Sequence, residues 1–303
     1  MPRVSVVVLN WNGLADTLAC VDSVLENDHK DLHVVLIDNA SDGDEWSRLQ
    51  SEFESEVRVT VIRNEENLGF AGGCNTGIRF SLESGADYIL ILNNDTLVDR
   101  DFLSKLLRSA EVNAADIVGP RIVRDDDLQS VWWVPSQINY YYPALSRELS
   151  ADVSQEVNNL VGCCMLVSKR VFESVGLFDE YYFIYGEESD FNLRAVRSGF
   201  KLFYCAESMI RHKVSKSWGV EFHPNIGYYK MRNRIYLARK NFSARHMSIH
   251  WVYLVHYFVL RVGGALRRGN VEYAKAVVQG VRDAFRKGSG GRRAALGSSG
   301  GTG

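Results

Sequence analysis

The chain has 303 residues, 46% hydrophobic and 24% charged, enough for one large core or two, and its composition is that of a globular enzyme. Met1-Pro2-Arg3 leads straight into an apolar run, so no N-terminal signal peptide is expected, and five scattered cysteines without a CxxC pair fit neither a zinc site nor a disulfide framework. The formal charge of −2 hides a polarity: Phe222–Gly303 carries fifteen Lys and Arg against Glu272 and Asp283, a surplus of 13, which leaves −15 on Met1–Glu221.

Val4–Leu9 is a β-branched run that reads as a buried strand, followed by the turn sequence Asn10-Trp11-Asn12-Gly13. Leu18, Val21, Val24 and Leu25 have helical spacing and predict a helix over Ala15–Glu26. Val34–Ile37 is the next strand and ends in Asp38; Val57–Ile62 is another. The segment Asn67–Asn75 contains the glycine-rich loop Gly69–Gly73, before a helix predicted over Thr76–Ser84. It reads either as a tight turn or as an anion-binding helix start, and it matches neither GxGxxG nor GxxxxGK[ST]. Tyr88–Leu92 is a fourth buried strand and runs into Asn93-Asn94-Asp95-Thr96. Alternating strands and helices predict a parallel, doubly wound α/β sheet, whose ligands bind beyond the carboxyl ends of the strands. Asn10, Asp38 and Asn93–Asp95 then share one edge. Asp95 has a plainer alternative, as the cap of a helix through Asp99–Ala110.

Further on, Ile117–Val123 reads as a strand, and Trp132, Trp133, Tyr140, Tyr141 and Tyr142 cluster as loop packing or as sugar-stacking surface. Asn159–Ser168 is strand-like and Lys169–Val175 a short helix. In Gly186-Glu187-Glu188-Ser189-Asp190 three carboxylates fall within four residues, before a helix predicted over Ser189–Ser198. They either cap that helix or raise one another's pKa until one serves as a general base. Lys201–Cys205 is a last strand, and His212 lies beyond it, as a structural histidine or as a partner of Asp95 in a metal site.

Met247–Val262 is apolar with His250 and His256 interrupting, and is shorter than the ~20 residues that span a bilayer. It reads as a core helix or as an interfacial helix that docks, with its flanking arginines, on an anionic membrane. Arg232 and Arg234 are candidates for holding a diphosphate. Residues 1–225 are expected to form the catalytic domain, 226–288 a basic helical region and 289–303 a disordered Gly/Ser tail.

In this order Val4–Asn12, Val34–Gly43, Asn67–Asn75, Leu92–Thr96, Gly162–Asp179, Glu187–Arg194 and His212 resemble inverting family-two glycosyltransferases, most of all bacterial rhamnosyltransferases and related galactofuranosyl-type enzymes. The resemblance covers Val4 to Asn241. It implies a GT-A fold, a mostly parallel doubly wound sheet with flanking helices, here followed by C-terminal helices. By position, Asn10, Trp11 and Asp38 would hold the base and ribose of a nucleotide sugar. Asn67, Gly72 and Asn75 would line its pocket, with Asn93 and Asn94 beside the diphosphate. Asp95 would bind a divalent cation, Mg²⁺ or Mn²⁺, and His212 would add a ligand. Glu188 takes the place of the family's catalytic base, with Asp190 as runner-up and Glu187 beside them. Two departures stand out: Asn93 replaces the first acid of Asp-x-Asp, and Glu188 replaces an Asp.

The resemblance therefore implies an enzyme that transfers a sugar from a dTDP- or UDP-linked donor, L-rhamnose from dTDP-L-rhamnose first. Its acceptor would be a glycan or a polyprenyl-diphosphate-linked sugar, at the inner face of the cell membrane from the cytoplasm. Galactofuranosyl or hexosaminyl transfer from a UDP-sugar is the nearest alternative, and a non-catalytic nucleotide-sugar-binding protein the next. Nucleic acid is not an expected partner, because no binding motif accompanies the basic end. A homodimer through the C-terminal helices is a further expectation.

Overall fold

The structure is a computed structural model that describes residues 1–213 and 223–286. The Val214–Ser217 stretch after His212 and the expected 289–303 tail lie outside the described residues. In chain order the elements are β1 (Val4–Asn10), α1 (Leu14–Leu25), β2 (Leu32–Asp38), α2 (Glu45–Phe53), β3 (Val59–Arg63), α3 (Gly69–Glu83), β4 (Tyr88–Asn93), β5 (Thr96–Val98) and α4 (Phe102–Val112). Then follow β6 (Ile117–Arg124), β7 (Val131–Trp133), β8 (Ser136–Gln137), β9 (Arg147–Glu148), β10 (Gln155–Val157), β11 (Cys164–Ser168), α5 (Lys169–Val175), α6 (Glu187–Arg197) and β12 (Leu202–His212). Three helices close the chain: α7 (Pro224–Asn241), α8 (Ala244–Arg267) and α9 (Val271–Ala284).

The main sheet has the order β10-β12-β6-β11-β4-β1-β2-β3. The β4-β1-β2-β3 half is parallel, as are β6 and β12, while β11 runs antiparallel between β4 and β6. This is the expected α/β class, with C-terminal helices added. The apolar runs are continuous because the sheet is covered on both faces. Val4, Val6 and Val8 of β1 share one core with residues of α1 and α4, while Val7 faces α3 in the opposite core.

The glycine-rich segment is not a loop. Gly69–Gly73 forms the first turns of α3, with Asn67 Oδ1 accepting the Gly69 N–H at 2.8 Å. Side chains at Gly73 and Gly77 would strike Leu9 and Val7, so these glycines let α3 lie close on β1. Short-range signals mark glycines as breakers, and tertiary packing overrides that here. Asp95 is likewise no helix cap: β5 intervenes, and Asp101 occupies the N-cap position of α4.

The apolar segment at Met247–Val262 is longer than expected, since α8 runs for 24 residues and is long and apolar enough to cross a membrane. It is not a core helix either. Leu254 and Ala265 pack on α7 and α9, but Val252, Val255, Val259 and Leu260 are each 59–63% exposed.

Candidate active site

The strand register gathers the donor-side residues. Asn10 lies opposite Asp38, and Leu9 opposite Asn93, so β1, β2 and β4 end together. Asn10 is fully buried; its Nδ2 lies near Asp38 Oδ1 (3.2 Å), Ser41 Oγ (3.0 Å) and Glu45 Oε2 (3.0 Å), and its Oδ1 accepts from Thr17 Oγ1 (2.7 Å). Its amide is spent on shaping the edge. Asp38 Oδ2 is different: it is buried and, among the described residues, has no hydrogen bond, with the Arg63 guanidinium at 3.5 Å. A buried carboxylate oxygen without a donor is a recognition group in want of an N–H. Trp11, 39% exposed, stands at the rim.

The other pocket-lining candidates are committed elsewhere. Asn67 Oδ1 accepts the Gly69 N–H at the start of α3 (2.8 Å) and Asn39 Nδ2 (3.0 Å). Gly72 packs on Leu68. Asn75 is buried and pins α3 to the 178–180 segment, donating to Phe178 O and Glu180 Oε1 at 2.9 Å each. Asn94 Nδ2 donates to Thr17 Oγ1 at 2.8 Å, which ties the 93–95 turn back to Asn10. Gly13 leaves room for that amide, since a Cβ there would lie 2.8 Å from Asn94 Nδ2.

Asp95 and His212, 117 residues apart, meet because β5 pairs antiparallel with the end of β12. His212 Nε2 lies 3.1 Å from Asp95 Oδ1, Trp132 stands edge-on to the imidazole at 4.3 Å, and His212 Nδ1 is buried without a partner among the described residues. Among the described residues no group of three His, Cys, Asp or Glu side chains could hold a metal alone. One carboxylate oxygen and one imidazole nitrogen at this separation fit a divalent cation that takes its remaining ligands from a diphosphate and water.

The three carboxylates of α6 separate by environment. A cavity of about 370 Å³ is lined by Glu188, Tyr140, Tyr185, Lys230, Arg234 and Tyr253, among others. Glu188 Oε2 accepts the Gly186 N–H at 3.1 Å, and Oε1 accepts from Ser189 Oγ at 3.3 Å. Burial pushes its carboxyl up, against the pull of those donors and of the Lys230 charge. Glu187, 4% exposed, is pushed well above the carboxylate range by burial and then by Glu188, and its Oε2 has no partner among the described residues. Asp190 is fully enclosed and away from the cavity. Its Oδ2 accepts from Arg194 Nε (2.8 Å) and Lys240 Nζ (2.9 Å), its Oδ1 from Asn241 Nδ2 (3.0 Å).

Arg232 does not face a ligand. It is fully buried, donates to the carbonyls of Tyr181 (2.6 Å) and Tyr182 (2.8 Å), and lies against three tyrosine rings. Arg234, two residues on, reaches the cavity, with Nε near Tyr253 OH at 3.3 Å and Nη1 near Tyr257 OH at 3.1 Å. Sequence reasoning missed Glu45, which holds Asn10 and the Gly13 and Leu14 N–H groups, because nothing local ties α2 to that turn.

The backbone superposes on mannosyltransferase PcManGT from Pyrobaculum calidifontis, solved with GDP-Man and Mn²⁺, with a TM-score of 0.61 and 18% identity over 95% of this chain and 82% of that one. Residues 5–176 match the Glycosyl transferase family 2 model, and the chain belongs to that family. It is similar to the dTDP-rhamnosyl transferase RfbF of Shigella flexneri, 27% identical over 89% of this chain and 92% of that protein. It is also similar to the galactofuranosyltransferase GlfT1 of Mycolicibacterium smegmatis, 26% identical over 79% and 84%. The protein is thus a nucleotide-sugar-dependent glycosyltransferase.

Proposed function

We propose that the enzyme transfers L-rhamnose from dTDP-L-rhamnose, with inversion, to a phosphate-bearing acceptor sugar on a lipid carrier or a growing cell-surface glycan. The observation that carries this reading is the cavity that sets Glu188 beside Lys230 and Arg234. Asp38 Oδ2 suits the N3–H of a thymine or uracil ring, and Trp11 the face of that base. A divalent cation held by Asp95 and His212 would offset the charge that develops on the leaving diphosphate. Glu188 takes the proton from the attacking hydroxyl, and its raised pKa brings it nearer the operating pH. Lys230 and Arg234 hold the acceptor's phosphate, and the tyrosines flank its sugar.

The donor assignment is supported by the likeness to RfbF, and the likeness to GlfT1 keeps galactofuranosyl transfer from a UDP-sugar as the second reading. A thermal-shift panel with dTDP, UDP and GDP, with and without Mn²⁺ or Mg²⁺, separates them. A ligand at 100 times its Kd adds about 2.7 kcal/mol, or roughly 5–10 °C. Metal-dependent stabilisation by dTDP is expected. Preference for UDP would favour the second reading, and silence with every nucleotide would refute both.

The exposed apolar side of α8, flanked by Arg245, Arg261, Arg267 and Arg268, suits the surface of an anionic bilayer at the inner face of the cell membrane. The helix lies along that surface rather than across it, since its other side is packed on α9. Sedimentation with phosphatidylglycerol vesicles is expected to succeed at low salt, weaken at high salt, and fail for the Val255→Asp/Val259→Asp variant. Equal binding to neutral phosphatidylcholine, or a dimer lost in the same variant, would reassign the face.

A further inference from the structure

Between the 3₁₀ turn Glu180–Tyr182 and α6 the chain passes through Phe183 at φ +63° and Tyr185 at φ +70°, then Gly186 at φ +100°. Two bulky aromatic residues in the left-handed region persist only where their surroundings dictate it. Here α7 dictates it. Asn233, 3% exposed, directs Nδ2 at the carbonyls of Tyr182 (3.0 Å), Ile184 (2.8 Å) and Tyr185 (2.6 Å), which share its two hydrogens. Arg232 donates from Nε to Asn233 Oδ1 at 2.9 Å, which fixes the amide's orientation, while its Nη2 holds Tyr181 and Tyr182.

The same strap touches both halves of the site. Phe183 O accepts the Ala71 N–H of α3 at 3.2 Å, and the Phe183 ring fills the space that any side chain at Gly69 would need. At its far end the strap presents the Gly186 N–H to Glu188 Oε2 at 3.1 Å.

We infer that Asn233, backed by Arg232, is a positioning residue for the transfer: it clamps the 181–186 strap so that Gly186 aims the Glu188 carboxylate into the cavity, in register with the donor-side helix. This inference rests on the reading of Glu188 as the base. A clamp of purely structural value would lower stability and activity together. A positioning clamp also changes the titration of the base, because the Gly186 hydrogen bond favours the charged carboxylate.

The test compares Asn233→Ala and the milder Asn233→Ser, which keeps one donor, with the parent and with Glu188→Gln. The readouts are thermal unfolding, dTDP affinity with Mn²⁺, hydrogen exchange of the 181–188 segment, and the pH profile of donor hydrolysis. The probe is dTDP-L-rhamnose, or UDP-galactofuranose if UDP is the nucleotide that stabilises. The groups facing Glu188 are Glu187 on its own helix, Tyr185 on the strap, Tyr140 on the 138–143 segment, Lys230 and Arg234 on α7, and His250 and Tyr253 on α8. All are retained in both variants. Expected are faster exchange in the strap, dTDP affinity within about threefold of the parent, and an acid limb moved up by about one pH unit, a tenfold loss on that limb. The Ser variant falls between the parent and Ala; if Ala does not fold, Ser carries the measurement. An acid limb left in place, with Glu188→Gln inactive, overturns the clamp and spares the base. An active Glu188→Gln overturns the base and the clamp with it.

Discussion

Replacing Glu188 by Gln is expected to lower transfer by about 10²–10⁴-fold, the usual range for loss of a general base, with nucleotide affinity and unfolding temperature close to the parent's. The amide keeps the volume of the carboxylate and can still accept the Gly186 N–H through its oxygen, but it cannot take up the acceptor's proton. Steady-state turnover alongside calorimetric dTDP binding checks this. A variant that loses dTDP binding as well would place Glu188 in the donor pocket rather than at the attacking hydroxyl. One with near-normal turnover would remove it from the chemistry.

The opposite pattern is expected two residues along. Asp190→Ala strips the carboxylate from a fully buried position, leaving Arg194 and Lys240 facing each other without it. Breaking a buried ion pair costs about 3–5 kcal/mol, and since these partners' side chains are 20% and 28% exposed, the lower end applies. That corresponds to a fall of roughly 5–10 °C in unfolding temperature. The loss is structural because Asp190 joins α6 to the end of α7, where Lys240 also reaches Asp179 at 2.6 Å. Thermal unfolding of Asp190→Ala beside Glu188→Gln separates the two carboxylates. Intact stability with abolished turnover would reverse their roles.

This division could not be read from Glu187-Glu188-Ser189-Asp190. Residues i and i+2 of a helix point about 200° apart, so one of Glu188 and Asp190 had to turn away from the cavity. Which one did so depends on Lys240 and Asn241, some fifty residues later. The same geometry separates Arg232 from Arg234. Two residues apart and alike in charge, both were candidates for holding a diphosphate, yet the rotation of α7 buries the first under three tyrosines and opens the second to the cavity. In Gly69–Gly73, local propensity pointed to a loop and the packing of α3 on β1 produced a helix.

The α/β class, the edge where Asn10, Asp38 and Asn93–Asp95 gather, and the family were all legible in the chain before it folded. The class and the edge follow from short-range apolar periodicity, since in a parallel sheet the carboxyl ends of the strands reach the same side, whereas the family rests on the order of the motifs it resembles. The fold chose among the alternatives the chain left open, bringing Asp95 to His212 and turning Glu188 rather than Asp190 to the cavity, and it added the grip of Asn233 on the strap before it. Each of these depends on contacts between residues some fifty to more than a hundred positions apart, set by strand register and helix rotation, which local pattern does not encode.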